Sequence, residues 1–263
     1  MKKFLLLVLT LFIGNCVFAS SINLKENNGI YHITLNGNSI KKRIQFVSVK
    51  NLDTNKNVHI NSKSKLTINT GFFDPKNGKT ISYIMNDYVV TEDPTQNERF
   101  MLNPFLSLHQ DKILDRTEFR ILECNKKLKY QITQHSTPVD TMCKIKTSAQ
   151  GGPQLLPDLR LDEEFFILKD KNGNILRQSA SVLDKTARTI VGIKDNNLHI
   201  LIITNSNPKT IFEARDLCKS LGFTSAMAFD GGSSTSLNYK DISVTSIEKH
   251  DTGRKLKSFL IVK

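Results

Sequence analysis

A short polar segment near the C-terminal end of the chain holds the residue types best suited to chemistry. Asp230 follows an apolar stretch at residues 226–229 and precedes two glycines and three hydroxyl side chains. Glycine adopts backbone conformations that other residues avoid, so the main chain there can come close to a ligand. Hydroxyl groups can hydrogen-bond oxyanions or sugar hydroxyls. We therefore predict that residues 230–235 contribute to a functional site, although an isolated Asp-Gly-Gly is usually only a tight turn.

Three further segments place glycine and polar side chains at the edges of apolar stretches. They are residues 69–73 (Asn-Thr-Gly-Phe-Phe), residues 150–154 (Gln-Gly-Gly-Pro-Gln) and residues 187–192, where Ala-Arg-Thr leads into Ile-Val-Gly. Loop residues held by a rigid scaffold are a common location of binding and catalytic groups. We therefore predict that all four segments converge in space, although they are far apart in the sequence.

The elements that must position these segments are mostly strands. The clearest helix covers residues 211–221, where Thr210 and Glu213 fit a capping box. A strand at residues 225–229 follows this helix and carries Asp230 at its end. Alternating or β-branched patterns predict further strands or hairpin pieces, at residues 30–35, 44–49, 66–69, 83–90, 105–108, 189–193, 198–203 and 256–262.

This order of elements indicates the fold class. Many strands with one clear helix predict an α+β fold, a single domain built on a mainly antiparallel or mixed sheet with few helices. Residues 120–148 are polar, and their secondary structure is ambiguous. The chain has no GxGxxG or Walker sequence, so a nucleotide-binding fold is not expected.

The N-terminal segment has the pattern of a targeting signal. Two lysines, an apolar run at residues 4–13 and a small-x-small sequence ending at Ala19 are typical of a cleaved signal peptide. We predict a signal peptide at residues 1–19, cleavage near Ala19 and a domain at residues 20–263 that is periplasmic or secreted. Lipid attachment to Cys16 is the alternative, although the residues before it make a poor lipobox. No later stretch predicts a transmembrane segment.

The charge balance is basic but dispersed. Lysine and arginine total 37 against 25 acidic residues, a formal net charge of +12. Because the basic residues are scattered, they are more typical of a solvated surface than of a nucleic-acid footprint. We predict no nucleic-acid partner and a weak preference for anionic substrates, and the sequence does not indicate an oligomeric state.

Three cysteines follow the predicted signal peptide. Cys124 and Cys143 could pair in an oxidising compartment, but the sequence alone leaves this open. Cys218 lies on a face of the predicted helix and is expected to be a buried thiol. No cysteine or histidine spacing is typical of a zinc site.

Taken in order, the four segments resemble those of the phosphodiester glycosidase domain family. Residues 69–73 match the family's Asn-x-Gly-Phe-Phe, residues 150–155 match Gln-Gly-Gly-Pro-x-Leu, and residues 188–192 match Arg-Thr-x-x-Gly. Residues 230–235 match Asp-Gly-Gly-Gly-Ser-Ser, with Ser233 in place of the third glycine. The resemblance covers the chain from about residue 30 onward. It implies an exported hydrolase that cleaves a sugar-1-phosphodiester of the N-acetylglucosamine type in an envelope polymer or a scavenged glycan.

This chemistry assigns a role to each of the four segments. A guanidinium can bind phosphate bidentately, so Arg188 is the candidate phosphate ligand. Asp230 is the candidate carboxylate at the anomeric centre, as base, nucleophile or positioner of sugar hydroxyls. These two residues are the predicted catalytic pair. The predicted substrate-binding residues are Asn69, Gly71, Phe72, Gln150, Gly151, Gly152, Thr189, Gly231, Gly232, Ser233 and Ser234.

Alternative roles remain open for several of these residues. Arg188 and Asp230 could form a structural ion pair, and Asn69 could instead satisfy backbone groups at a turn. Phe72, with Phe73, could belong to the core rather than to a sugar platform. A divalent cation could bind at Asp230, although no ligand cluster requires one and no other cofactor is predicted.

Two other functions remain open at this stage. The same pocket could belong to a carbohydrate-binding accessory protein for exopolysaccharide production that has no turnover. A serine esterase acting on acylated glycans is the other alternative, and it would need a histidine near Ser233 or Ser234. His135, in the ambiguous middle region, could reach the site.

Overall fold

The computed structural model describes residues 21–179, 181–246 and 253–263. The predicted signal peptide at residues 1–19 and Cys16 lie outside these described residues. Within them, no helix has both the length and the apolar character needed to cross a bilayer.

Short strands dominate the described residues. The strands in chain order are β1 (Ile22–Asn27), β2 (Ile30–Leu35), β3 (Ile44–Thr54), β4 (Leu66–Asn69), β5 (Ile84–Asn86), β6 (Val89–Glu92), β7 (Thr117–Cys124), β8 (Lys127–Gln134), β9 (Cys143–Gln150), β10 (Gln154–Leu156), β11 (Ile167–Lys169), β12 (Ile175–Gln178), β13 (Arg188–Lys194), β14 (Asn197–Ile203), β15 (Ser225–Ala228), β16 (Ser236–Tyr239), β17 (Ile242–Thr245) and β18 (Lys255–Val262). The helices are α1 (Asn38–Lys41), α2 (Asn55–Ser62), α3 (Glu98–Met101), α4 (Gln110–Leu114) and α5 (Ile211–Ser220), with 3-10 turns at Pro94–Gln96, Leu106–His109 and Gly232–Ser234.

Three larger sheets and one hairpin account for these strands. A six-stranded sheet has the order β1-β2-β14-β13-β15-β10, and a five-stranded sheet has the order β17-β16-β4-β18-β3. The second five-stranded sheet has the order β6-β5-β9-β7-β8, and β11 pairs with β12 alone. Every strand pairing in the described part of the chain is antiparallel. The predicted α+β class with mainly antiparallel sheets is therefore confirmed.

One apolar core joins the three larger sheets into a single domain. Ile33 of β2 and Val191 of β13 pack in the same buried cluster as Phe46 of β3, Ile68 of β4 and Phe119 of β7. The Phe46 and Phe119 rings meet edge to face with their centroids 6.0 Å apart, a favourable aromatic geometry. Because this core is shared, the ends of strands from different sheets are held in fixed relation to one another.

Helix α5 covers the other face of the six-stranded sheet. Ile211, Ala214 and Cys218 lie on its buried face and pack against the sheet in a second cluster. Thr210 and Glu213 form the expected capping box, so the predicted helix is confirmed. The Cys218 thiol is buried as expected, and burial raises its pKa to about 12.

Two local predictions are changed or completed by the structure. Residues 105–108 do not form a hairpin piece, because the Asn103 side chain accepts hydrogen bonds from the N–H groups of Phe105 and Leu106 and so bends the chain just before the 3-10 turn at Leu106–His109. The ambiguous region at residues 120–148 forms β8 and parts of β7 and β9. A disulfide between Cys124 and Cys143 joins β7 to β9.

Candidate functional site

Asp230 lies two residues beyond the end of β15, and the end of β4 fixes its main chain. Its N–H donates to the Thr70 carbonyl at 2.9 Å, and its own carbonyl accepts from the Asn69 Nδ2 at 2.5 Å. Asn69 is buried, and its Oδ1 accepts from the Thr189 hydroxyl at 2.7 Å and from the Ser236 N–H at 3.0 Å. One buried amide therefore holds the Asp230 segment, β4, β13 and β16 together.

The start of β13 holds the opposite side of the Asp230 segment. The N–H of Phe229 donates to the Thr189 carbonyl, and the N–H of Gly232 donates to the Ala187 carbonyl, both at 2.8 Å. A side chain at Gly231 would bring its Cβ to 3.1 Å from the same Ala187 oxygen. The close approach of these two segments therefore favours glycine at this position.

The segment at residues 150–152 connects this region to the second five-stranded sheet. The N–H of Gly152 donates to the Ala228 carbonyl at 2.8 Å, just before Asp230. Gly152 has φ +104°, and a Cβ there would collide with the Glu164 carboxylate, so only glycine fits. Gln150 is fully buried, and its Nε2 donates to the Leu114 carbonyl at 2.7 Å. All four sequence segments thus meet in space, as predicted.

A cavity of about 430 Å³ opens beside Asp230. Its wall consists mainly of phenylalanine and aliphatic side chains, and it includes four arginines. Seven of the predicted site residues line it, namely Phe72, Gly152, Arg188, Asp230, Gly231, Gly232 and Ser233. The other six lie behind this wall and support it through the main chain or through buried side chains, namely Asn69, Gly71, Gln150, Gly151, Thr189 and Ser234.

The Asp230 carboxylate has an environment that changes its acidity. Burial raises its pKa to about 6, and a hydrogen bond from Ser234, the positive charge of Arg254 and the N–H of Gly231 oppose this rise. A pKa near neutrality suits a carboxyl group that exchanges or accepts protons during a reaction.

Arg188 is largely occupied by the protein itself. Its guanidinium donates to the carbonyls of Val182 at 3.0 Å and Asp184 at 2.6 Å through Nη2, and to that of Lys209 at 3.1 Å through Nε. Burial lowers its pKa to about 10, which the charge of Asp184 opposes. No ion pair links Arg188 to Asp230 among the described residues. These contacts favour a structural role, in which Arg188 holds the loop wall of the cavity.

Arg254 is a cavity residue that sequence reasoning missed. It precedes β18, and its Nη1 donates to the hydroxyls of Ser233 at 3.0 Å and Ser234 at 3.4 Å. Its guanidinium also lies over the Phe73 ring, 5.2 Å from the centroid. The only sequence signal was a basic residue before the last predicted strand, which is too common to indicate a site.

No histidine of the described residues lines the cavity, although His109 stacks on the lining residue Phe165 with ring centroids 4.0 Å apart. His135 stacks on Tyr83 with ring centroids 4.1 Å apart, and its Nδ1 is 2.9 Å from the buried Glu118 carboxylate. Within the described ranges, no group of three or more histidine, cysteine, aspartate or glutamate side chains could hold a metal ion.

Comparison with known proteins relates this arrangement to a family. The family model described as phosphodiester glycosidase matches residues 62–263. The fold also matches the zebrafish N-acetylglucosamine-1-phosphodiester alpha-N-acetylglucosaminidase catalytic domain, which is described as auto-inhibited by its pro-peptide. That match has a TM-score of 0.64 and 12% identity, and it covers 92% of this chain and 81% of the other.

Two bacterial structures share the fold as well. A hypothetical protein from Synechocystis matches with a TM-score of 0.53 and 11% identity, over 92% of this chain and 61% of the other. A protein from Burkholderia pseudomallei, described as exported, matches with a TM-score of 0.55 and 11% identity, over 89% of this chain and 73% of the other. At such low identity these structures show a common fold alone. No curated protein sequence matches the chain significantly.

Proposed function

Because the chain belongs to the phosphodiester glycosidase family, we propose that it is an exported hydrolase that cleaves the bond between a sugar and a phosphodiester. The observation that carries this proposal is the charge arrangement of the cavity. Among the described residues that line it, Asp230 is the only acidic side chain, and it is accompanied by Arg116, Arg177, Arg188 and Arg254. A carboxylate beside several cations suits an anionic substrate whose reacting carbon becomes positive.

The proposed mechanism gives Asp230 and Arg254 separate tasks. The ionised Asp230 faces the anomeric carbon, where it activates water or stabilises the developing positive charge. Arg254, with the Ser233 hydroxyl, binds the non-bridging phosphate oxygens. The leaving phosphate is weakly basic, so the reaction needs little help from an acid. Phe72 is half-buried and offers an apolar surface to the sugar ring.

The proposed substrate is an N-acetylglucosamine-type sugar linked to phosphate in an envelope polymer or a scavenged glycan. The sugar is suggested by the name of the zebrafish enzyme, and the cavity volume of about 430 Å³ is of the size that binds small ligands. The disulfide between Cys124 and Cys143 supports export, because such bonds persist mainly in oxidising compartments.

The contacts of the hydroxyl groups favour glycosidase over esterase chemistry. Ser234 is hydrogen-bonded to the Asp230 carboxylate, and its oxygen accepts from Arg254 at 3.4 Å. A serine nucleophile would instead need a base within hydrogen-bonding reach, usually a histidine. No histidine lines the cavity in the part of the chain that the structure describes.

Hydrolysis in ¹⁸O-labelled water tests the proposed reaction. The substrate is benzyl N-acetylglucosamine-1-phosphate, a diester, and mass spectrometry identifies the products. A glycosidase releases N-acetylglucosamine and benzyl phosphate, with the label on the sugar. Label on the phosphate would indicate a phosphodiesterase, release of acetate would indicate cleavage of the N-acetyl amide, and binding without products would indicate a carbohydrate-binding protein. Each of these three results contradicts the proposal.

The pH profile provides a separate prediction. Because Asp230 must be ionised and burial raises its pKa to about 6, kcat/KM should fall about tenfold per pH unit below that value. Arg254→Gln removes a positive charge that favours the ionised form, so the midpoint should move to higher pH. Initial rates over a pH series measure both effects. A rate that instead rises as the pH falls below 6 would assign Asp230 the role of acid.

A further inference from the structure

We propose that the cavity contains a second anion-binding subsite, formed by Arg116 and Arg177, and that the natural substrate carries a second anionic group. This inference rests on the proposed function, since it assigns a property of the substrate bound at the same site. The group is an oxyanion, a carboxylate or a phosphate, attached to the aglycone beyond the scissile phosphate.

The two guanidinium groups lie on neighbouring aromatic rings in the cavity wall. The Arg116 guanidinium is 4.0 Å from the centroid of Phe166, and that of Arg177 is 4.7 Å from the centroid of Phe165. Both arginines line the cavity. They are close enough for the charge of Arg177 to lower the pKa of Arg116, in addition to the larger effect of burial. Two like charges therefore face the same enclosed space.

The protein provides too little negative charge to balance this pair. Neither arginine takes part in an ion pair within the described ranges. Glu164 is the one carboxylate that acts on Arg116, but its oxygens accept from the Thr117 hydroxyl at 2.7 Å and from the Gln154 N–H at 3.0 Å. Arg116 instead donates its Nε to the Glu164 main-chain carbonyl at 2.9 Å.

Within the described ranges, the terminal nitrogens of both arginines make no hydrogen bond to the protein. Arg177 Nη1 is buried and has no hydrogen-bond partner among the described residues. The one hydrogen bond of Arg116 there uses Nε, which leaves both of its terminal nitrogens available. A buried donor without a partner is costly, and a buried guanidinium without one is more so. An oxyanion placed between the two would satisfy these donors and offset the repulsion.

This subsite is distinct from the one at Arg254. Arg254 bonds to Ser233 and is the arginine whose charge acts on the Asp230 carboxyl group. Arg116 and Arg177 lie over the rings of Phe166 and Phe165, whereas Arg254 lies over that of Phe73. The cavity therefore has two separate cationic regions, one for the scissile phosphate and one for a further anion.

Matched substrates test the inference by activity. They are diesters of N-acetylglucosamine-1-phosphate with benzyl alcohol, 4-carboxybenzyl alcohol and 4-(phosphonomethyl)benzyl alcohol. The wild type should prefer one or both charged aglycones in kcat/KM by on the order of 10- to 100-fold, the range for hydrogen bonds to charged groups. The preferred aglycone distinguishes a carboxylate from a phosphate. Arg177→Gln should abolish the preference, because it should lower kcat/KM for the charged substrates far more than for the neutral one.

Lys171→Gln is the matched control, because it removes the same charge from an exposed position in the turn between β11 and β12. It should leave the preference unchanged. No preference in the wild type would contradict the inference. An equal loss on the neutral substrate in Arg177→Gln would also contradict it, because the pair would then bind the scissile phosphate.

Inorganic phosphate gives a readout that does not depend on turnover. Calorimetric titration of the wild type should show two sites per chain, of which Arg177→Gln loses one and Arg254→Gln loses the other. A single site that is insensitive to Arg177→Gln would contradict the inference even if hydrolysis occurs. Conversely, two sites without hydrolysis would contradict the proposed function and leave the second subsite supported.

Discussion

Asp230→Asn should lower kcat by on the order of 10²- to 10⁴-fold and leave the protein at least as stable as the wild type at pH 7.5. Asparagine keeps the shape of aspartate and can still accept the hydrogen bond from Ser234. It removes the negative charge on which the proposed chemistry depends. Because the half-buried position of that charge desolvates it, its removal should also relieve an electrostatic cost.

The sign of the stability effect follows from the raised pKa. The Asp230 carboxyl group has a pKa of about 6 in the folded protein, against an ordinary value of 3.8 for aspartate. Between these values the folded state binds more protons than the unfolded state, so the free energy of unfolding decreases as pH rises through this window. Above pH 6 the full cost, on the order of 2–3 kcal/mol, is present in the wild type and absent from the variant.

Thermal melting at several pH values, with steady-state rates at pH 7.5, measures both parts of this prediction. The melting temperature of Asp230→Asn should exceed that of the wild type most above pH 6, and this difference should shrink as the pH falls toward 4. A variant that melts at a clearly lower temperature and keeps its activity per folded molecule would make Asp230 a structural residue. The reacting carboxylate would then have to be sought elsewhere.

Substitution of Arg188 should mainly lower stability, whereas substitution of Arg254 should mainly lower activity. Arg188→Lys loses the planar group that reaches the carbonyls of residues 181–184, and we expect it to reduce the free energy of unfolding by about 2–4 kcal/mol. Arg254→Gln should leave melting nearly unchanged. It should lower kcat/KM for the phosphodiester by on the order of 10²-fold, because it removes a fixed cation from the phosphate oxygens.

A neutral aryl N-acetylglucosaminide serves as the control substrate for this pair. Its hydrolysis should be nearly insensitive to Arg254→Gln, since it carries no phosphate. Chemical denaturation of both variants provides the stability measurement. If Arg188→Lys instead keeps its stability and loses phosphodiester activity selectively, Arg188 is the phosphate ligand that its sequence position first suggested.

The sequence predicted the strands and the meeting of the four segments because both depend on local patterns. Alternating and β-branched residues indicated β13 and β14, and the capping box at Thr210 indicated α5. Each glycine-bearing segment lay at the end of an apolar stretch. The ends of strands that share a core come together, so Asn69 and Asp230 could be placed in one region.

Other features depend on which elements become neighbours and therefore could not be read from local patterns. The guanidinium of Arg188 was expected to bind phosphate, but its partners are main-chain carbonyls of a loop with no distinctive sequence. Arg254 lies beside Ser233 only because β18 inserts between β4 and β3. Arg116, just before β7, and Arg177, in β12, line the same cavity although they lie far apart in the sequence.

The position of β18 also has a consequence for the order of events during synthesis. This strand lies between β4 and β3, so the five-stranded sheet is divided until residues 255–262 have left the ribosome. β2 likewise waits for β14, which is synthesised more than 160 residues later. Pairings over such distances form late and slowly. Completion of the five-stranded sheet and pairing of β2 with β14 are therefore expected to be late steps in folding, after β18 and β14 have been synthesised.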